Sequence, residues 1–199
     1  MTVRMSVDPS QLSKSQLRAI ALAARDAIPV ADRRRAAQTI AMRRFPVPLG
    51  EGTVVAGYSP IRSECDPVPL MRGLAGKGAM LALPVIDGKD KSLSFSEWRQ
   101  GGHLVAGPFG ILQPRPDAVS VEPDIMLVPL AAFDRKLRRI GYGAGYYDRT
   151  LAALRQQRRV VVAVGIAFAA QEVAEIPADD HDEGLDLVLT ERETVFRSS

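Results

Sequence analysis

The sequence predicts a three-layer α/β domain with a mostly parallel central sheet. Three observations predict it. Apolar runs of strand length recur along the 199 residues: TVVAGYS at 53–59, AMLALPVI at 79–86, SLSFSEW at 92–98, DIMLVPLAAF at 124–133, RVVVAVGIAF at 159–168 and LDLVLT at 185–190. Most are continuous rather than alternating, which is the pattern of strands covered on both faces. Helices or loops separate them, and 46% hydrophobic composition is enough for one sizeable core in a single domain over residues 1–199.

Taken in order, SKSQLRAIALAARDAI at 13–28 opens with Ser13 and Gln16 in capping-box spacing. Leu17, Ile20, Ala24 and Ile28 form its expected apolar stripe, and Pro29 closes it. A second helix is expected from Ala31 to Arg44, with Ala36, Ala37, Ile40 and Met42 inside, ended by Pro46 and Pro48. The strand at 53–59 and the short glycine-capped helix in PVPLMRGLAGKG make a βα unit. GKDKS at 88–92 reads as a hairpin-like turn, and GPFGILQPRPDAVSVEP at 107–123 as an ordered Pro-rich connection. YYDRTLAALRQQ after the last glycine-rich segment reads as a helix. In such a sheet, ligands belong in the loops after the carboxyl ends of the strands.

Composition narrows the function. A net charge of +3, from 26 Lys+Arg against 23 Asp+Glu, suits an anionic small molecule at least as well as nucleic acid. No apolar run approaches the 18 or so residues of a membrane span, and MTVRMSVDPSQLSK lacks a signal-peptide core, so a cytoplasmic location is expected. Cys65 stands alone, and with only His103 and His181 it makes a structural zinc site a poor expectation.

RIGYGAGYYD at 139–148 is the segment richest in chemistry. Gly141, Gly143 and Gly145 alternate between a strand and a helix, where backbone N–H groups and a helix N-terminus cradle an anion. The spacing is neither G-x-x-x-x-G-K-[ST] nor G-x-G-x-x-G. The alternative is a tight helix-entry turn packed with aromatic rings. Arg135, Lys136, Arg138 and Arg139 crowd its near side, and such like charges repel unless an anion or acid offsets them. Asp148 then serves either as an acid in the first helical turn or as a Mg²⁺ ligand beside phosphate.

Other candidates are scattered along the chain. Lys14 and Arg18 share a helix face as a surface pair or a second phosphate clamp. In YSPIRSECDP, Asp66 before Pro67 suits a helix cap, leaving Glu64 to accept paired N–H groups from a heterocycle. Trp98 either stacks on a flat ring or fills core. In PADDHDEGLD, Asp182 and Asp186 are either metal partners of the glycine loop or members of a solvated acidic loop.

Together these segments resemble the 5-formyltetrahydrofolate cyclo-ligase family, also called 5,10-methenyltetrahydrofolate synthetase. The carriers are K-x-x-L-R at 14–18, Ser63–Glu64, LPVI, SFSEW, FGILQP, FDRKLRRIGYGAGYYDRTL and HDEGLDLVLTE. The resemblance implies a fold shared with sugar-phosphate isomerases and CoA-transferases, and a Mg²⁺-dependent, ATP-driven ring closure of 5-formyltetrahydrofolate. It assigns Lys14, Arg18, Arg139, Gly141, Gly143, Gly145, Tyr146 and Tyr147 to ATP, with Arg139 and Tyr147 at the catalytic step. Glu64 and Trp98 fall to the folate and Asp148 and Asp182 to the metal, with Asp186 in reserve. It further implies small-molecule substrates and a monomer, without nucleic acid or membrane. Phosphoryl transfer asks mainly for positioning and charge stabilisation, which such residues supply without a nucleophile. Leu137 and Ala144 stand where the family commonly has glycine. A nucleotide- or RNA-binding regulator and an ATP-independent sugar-phosphate isomerase are the alternatives in other functional classes.

Overall fold

A computed structural model describes residues 12–157, 160–179 and 181–197. Most of the N-terminal stretch inspected for a signal peptide, Arg159 at the head of one expected strand and Asp180 in the acidic loop lie outside the described residues. Seven strands form the central sheet: β1 (Val54–Ala56), β2 (Met80–Val85), β3 (Ser94–Glu97), β6 (Ile125–Pro129), β9 (Val162–Ile166), β10 (Leu187–Leu189) and β11 (Thr194–Phe196). Their order is β11-β10-β9-β6-β1-β2-β3. Neighbours from β10 to β2 run parallel, and the two edge strands, β3 on β2 and β11 on β10, run antiparallel. The sheet is therefore mostly parallel, as expected, with its antiparallel members confined to the edges.

Because successive residues point to opposite faces, the buried strands feed two cores. Val55, Leu81, Leu127 and Val164 join one core, with Ala36, Ala37 and Ile40 of α2 (Val30–Met42) and Leu70, Met71 and Leu74 of α3 (Val68–Ala75). Ala56, Ala82, Met126 and Ala163 join the other, with Leu151 and Leu154 of α4 (Tyr146–Gln156). Two fully covered faces explain the continuous apolar runs in the sequence. The first helix, α1 (Lys14–Asp26), joins neither core; Leu17 and Ala21 pack on Ala132, Ile140 and Ile176 beyond the end of β6.

Local signals behave as expected at several boundaries. Ser13 and Gln16 form the capping box that starts α1. Asp66 Oδ1 accepts the Val68 N–H at 2.9 Å and so caps α3, although Pro67 occupies the cap position itself. Two side chains depart from their expected burial: Ile20 is 53% and Met42 85% exposed. The stripe of α1 that turns inward is Leu17, Ala21 and Arg25, because an arginine with enough partners can be buried where periodicity alone would choose an apolar residue.

Two short strand pairs and the pairing of one edge strand with an expected strand escaped the apolar pattern. The segment 124–133 breaks after Pro129; its last residues form β7 (Ala132–Phe133), which pairs antiparallel with β8 (Arg139–Ile140). Within 104–114, β4 (Leu104–Ala106) pairs with β5 (Leu112–Pro114) around a 3-10 turn at Pro108–Gly110. The third is β11 on β10.

Candidate active site

The order β9-β6-β1-β2 places successive parallel connections on opposite sides of the β6/β1 boundary. At such a switch the loops at the carboxyl ends diverge and leave a crevice. Here those loops are 57–67, after β1, and 130–145, after β6.

The second loop begins with the β7–β8 hairpin, whose turn is organised by Asp134. Its side chain is buried; Oδ1 accepts the N–H groups of Lys136 (2.9 Å) and Arg138 (3.0 Å), and Oδ2 accepts that of Ile176 (2.9 Å). The turn closes through Leu137 at φ 63°, a left-handed conformation that a leucine adopts at a cost of about 1 kcal/mol. Leu137 is 1% exposed and packs in the core that α4 covers. Burial of the leucine side chain thus offsets the backbone strain that a glycine would avoid.

This turn also sorts the basic cluster. Arg135 pairs with Glu172 and Glu193, Lys136 with Glu175, and Arg138 with Asp134 and Glu175. Each of these three has acidic partners, so the crowding inferred from sequence is offset by acids. Arg139 alone turns inward.

Arg139 Nη2 donates to Asp148 Oδ1 at 2.6 Å, across the glycine loop and into the first turn of α4. Its Nε is buried and has no hydrogen-bond partner. Asp148 Oδ1 also accepts the Glu183 N–H at 3.3 Å, which draws the acidic loop towards α4. Gly143 (φ 97°) and Gly145 (φ 66°) give the loop a path that L side chains follow only under strain. Gly145 caps α4 without a side-chain bond, while Arg149 folds back over the loop, donating to the Ala144 carbonyl at 2.8 Å and lying over the Tyr146 ring at 5.2 Å.

From the other side α1 grips the same loop. Arg18 Nε donates to the Gly141 carbonyl at 2.8 Å, and Lys14 Nζ reaches Asp182, with Asp179 at 3.9 Å. Lys14, Arg18, Arg139, the three glycines, Asp148 and Asp182 therefore meet at one end of the sheet, although 168 positions separate Lys14 from Asp182.

Glu64 lies beneath them, in the loop after β1. Its Oε2 accepts the Ile61 N–H at 2.8 Å, and burial pushes its carboxyl above the usual range, with Tyr142 and Arg25 pulling it partly back. Burial likewise pushes up the phenols of Tyr142 and Tyr147, and the Glu64 charge acts in the same direction on both. Tyr58, at the end of β1, donates to the Cys65 carbonyl at 2.5 Å and closes this loop.

This geometry can hold a polyanion at the glycine loop and a polar ring system near Glu64. Comparison with known proteins gives it a family. The model of the 5-formyltetrahydrofolate cyclo-ligase family matches residues 10–191. The chain belongs to this family. A 5-formyltetrahydrofolate cyclo-ligase of Mycolicibacterium smegmatis is 36% identical over 190 residues, covering 91% of this chain and 95% of that protein. The Escherichia coli K12 protein of the same name is 32% identical, over 75% of this chain and 83% of its own. Among solved structures, the 5,10-methenyltetrahydrofolate synthetase of Aquifex aeolicus superposes with a TM-score of 0.74 at 30% identity, covering 94% of this chain and 93% of that one.

Two residues named from sequence stand apart from this crevice. Trp98 follows β3, which runs antiparallel, so its backbone N–H donates to the Leu81 carbonyl near the amino end of β2. Its ring borders a 360 Å³ cavity with Gly52, Gly78 and Arg99, at the end of the sheet away from the glycine loop. The structure therefore does not bring Trp98 to Glu64. Asp186 accepts the Ala163 N–H at 2.7 Å and lies 3.6 Å from Arg155, which commits it to the start of β9 and the end of α4. Asp182 is thereby the acid of that loop which faces the site.

Sequence reasoning missed two features. Phe109, φ 60° and 80% exposed, stands on the β4–β5 hairpin. That hairpin rests on the carboxyl ends of β1 and β2, with Ser59 Oγ donating to the Leu112 carbonyl at 2.5 Å and the Ile86 N–H to Gln113 at 3.3 Å. The second is Arg25, an unremarked cation in the sequence, buried to 2% exposure. No periodicity signal marks either residue.

Proposed function

We propose that this chain converts 5-formyltetrahydrofolate to 5,10-methenyltetrahydrofolate at the expense of ATP, with Mg²⁺ as metal. The observation that carries the reading is Arg139: a buried guanidinium with a free Nε beside three glycines, in a loop that Arg18 of α1 holds through the Gly141 carbonyl, with the half-buried Glu64 in the loop after β1. In the reaction, the formyl oxygen attacks the γ-phosphorus of ATP and ADP leaves. N10 then attacks the formyl carbon and gives up its proton to solvent, and the C–O bond to phosphate breaks to release inorganic phosphate.

The residues divide this work. Arg139 and Lys14 are placed to take phosphate oxygens in exchange for their resting carboxylates, and charge-assisted bonds of this kind are about twice as strong as neutral ones. Gly141, Gly143 and Gly145 let the backbone approach the phosphates, and Tyr146 and Tyr147 carry the loop into the positive end of α4. Arg18 fixes the loop through the Gly141 carbonyl. Glu64 accepts N–H groups of the pterin, and Phe109 offers a face on the hairpin opposite.

For the metal, the donor set decides the fit. No group of three or more His, Cys, Asp or Glu side chains forms a cation cage among the described residues. Asp148 and Asp182 instead supply hard oxygens near the phosphate cradle, which suits Mg²⁺, an ion commonly held by one or two carboxylates plus substrate phosphates. When bound, Mg²⁺ neutralises charge on those phosphate oxygens. The reading includes a single-domain cytoplasmic monomer working on small molecules, without nucleic acid or membrane; no helix among the described residues is long and apolar enough to cross one.

The test is absorbance. Folded protein with 5-formyltetrahydrofolate, ATP and Mg²⁺ should develop the near-ultraviolet band of the methenyl product, and omission of either ATP or Mg²⁺ should abolish it. No band in the complete mixture would overturn the assignment.

A further inference from the structure

The three elements that build the crevice meet on one buried side chain. Arg25, in the last turn of α1, is 2% exposed. Its Nε donates to Ser63 Oγ at 2.9 Å, and the Ser63 hydroxyl donates in turn to Asp26. Its Nη1 donates to the Tyr142 hydroxyl at 2.5 Å, and its guanidinium lies 5.7 Å from the centre of that ring. Tyr142 passes the contact on, its hydroxyl bonding the Leu130 carbonyl at 3.3 Å just after β6.

Position and sequence neighbours give these bonds their meaning. Ser63 immediately precedes Glu64, and Tyr142 immediately follows Gly141, the residue that Arg18 holds. Arg18 and Arg25 are seven apart, two turns along one face of α1, and they fasten consecutive residues of the glycine loop. Burying a guanidinium is expensive unless it is fully engaged, and a hydrophobic residue there would pack α1 with fewer demands. A helix needing only to dock has no use for such an anchor.

The geometry points to Arg25 as the positioning residue that sets the Glu64 loop and the glycine loop at a fixed separation, so that the two substrates meet in reacting distance. This rests on the cyclo-ligase reading of both loops. Arg25 touches neither substrate; it acts through Tyr142 and Ser63. Reaction between two bound molecules is sensitive to such spacing, a displacement of about 1 Å being enough to lose on the order of a hundredfold in rate.

Arg25→Lys keeps the charge but cannot span Ser63 and Tyr142 with a planar fork. We expect it to lower kcat at least about tenfold while the KM values for ATP and 5-formyltetrahydrofolate each change less than about threefold, the signature of lost alignment between substrates that still bind. Tyr142→Phe should lower kcat in the same way, and the double variant should be no slower than the slower single one, because both changes break the same link. Ser63→Ala removes one bond without burying a new charge, and it should give a smaller loss in kcat even if Arg25→Lys folds poorly. Titration of each variant with Mg–ATP by calorimetry reads the loop without turnover: affinity within about threefold of wild type is expected, and an about tenfold weaker affinity would make Arg25 a binding residue and overturn the positioning role, whereas an inactive wild type would count against the function. Wild-type kcat in Arg25→Lys or, should that variant not fold, in Ser63→Ala would overturn the proposal. Multiplying effects in the double variant, or a fall in melting temperature with kcat intact, would do the same.

Discussion

Arg139 and Asp148 face one another across the glycine loop, 2.6 Å apart, so the residues named for phosphate and for metal are each other's partners at rest. Arg139→Ala and Lys14→Ala are each expected to raise the apparent KM for ATP at least about tenfold, a charge-assisted phosphate contact being worth roughly 1.5–3 kcal/mol. Initial rates against ATP concentration at saturating folate decide it. An unchanged KM in both variants would remove them from the phosphate site.

Asp148→Asn separates the metal role from the helix role. A neutral amide still accepts the Glu183 N–H, so the acidic loop should stay in place. If the carboxylate holds Mg²⁺, half-maximal activity should need at least about tenfold more Mg²⁺. If it is only the partner of Arg139 and an acid at a helix start, the melting temperature should fall because the buried guanidinium loses its counter-charge, with an unchanged Mg²⁺ requirement.

Leu137→Gly sets backbone relief against packing. Removing the side chain from a site only 1% exposed costs about 3 kcal/mol, and freeing the φ of 63° returns about 1. A net loss of about 2 kcal/mol corresponds to a melting temperature about 4–8 °C lower for a chain of this size. A variant as stable as the parent would mean that glycine is the better residue at this turn and that the leucine packs without benefit.

Glu64 gives a pH signature. Burial raises its pKa, so the folded state holds the proton longer than the unfolded chain does. Below the ordinary carboxylate range both states are protonated and nothing is lost. As pH rises from the ordinary value of 4.5 through the raised one, the folded state is penalised. The melting temperature of Glu64→Gln relative to wild type should therefore climb over that window and then level off. A difference independent of pH from about 4 to 8 would contradict the burial argument.

The sheet was legible because its strands are covered on both faces, which writes each one as an apolar run. The glycine loop's place was legible because its alternating glycines stand between a strand and a helix start, whereas its spacing alone fitted a tight helix-entry turn as well as an anion site. Strand direction is not written that way, and it misplaced Trp98: SLSFSEW reads the same whichever way β3 runs, yet its antiparallel course carries the ring to the amino end of β2. The stripe on α1 failed at Ile20 and Arg25 because an apolar count cannot foresee that Ser63 and Tyr142, 38 and 117 positions away, will satisfy a buried guanidinium. The hairpin β4–β5 was missed because its strands have only three residues each and a half-buried, Gly- and Pro-rich setting.

The resting pairs of Lys14 with Asp182 and Arg139 with Asp148 also bear on turnover. On the reading given above, a nucleotide that arrives with Mg²⁺ brings a cation for the carboxylates and an anion for the bases, so docking is a double exchange that leaves no charge stranded. ATP without metal would claim the bases and abandon two acids, and metal without ATP would do the reverse. Departing products restore the original couples. Each base and each acid of the crevice thus has an opposite charge beside it in both its empty and its loaded condition, which favours the joint entry of metal and nucleotide over either one alone.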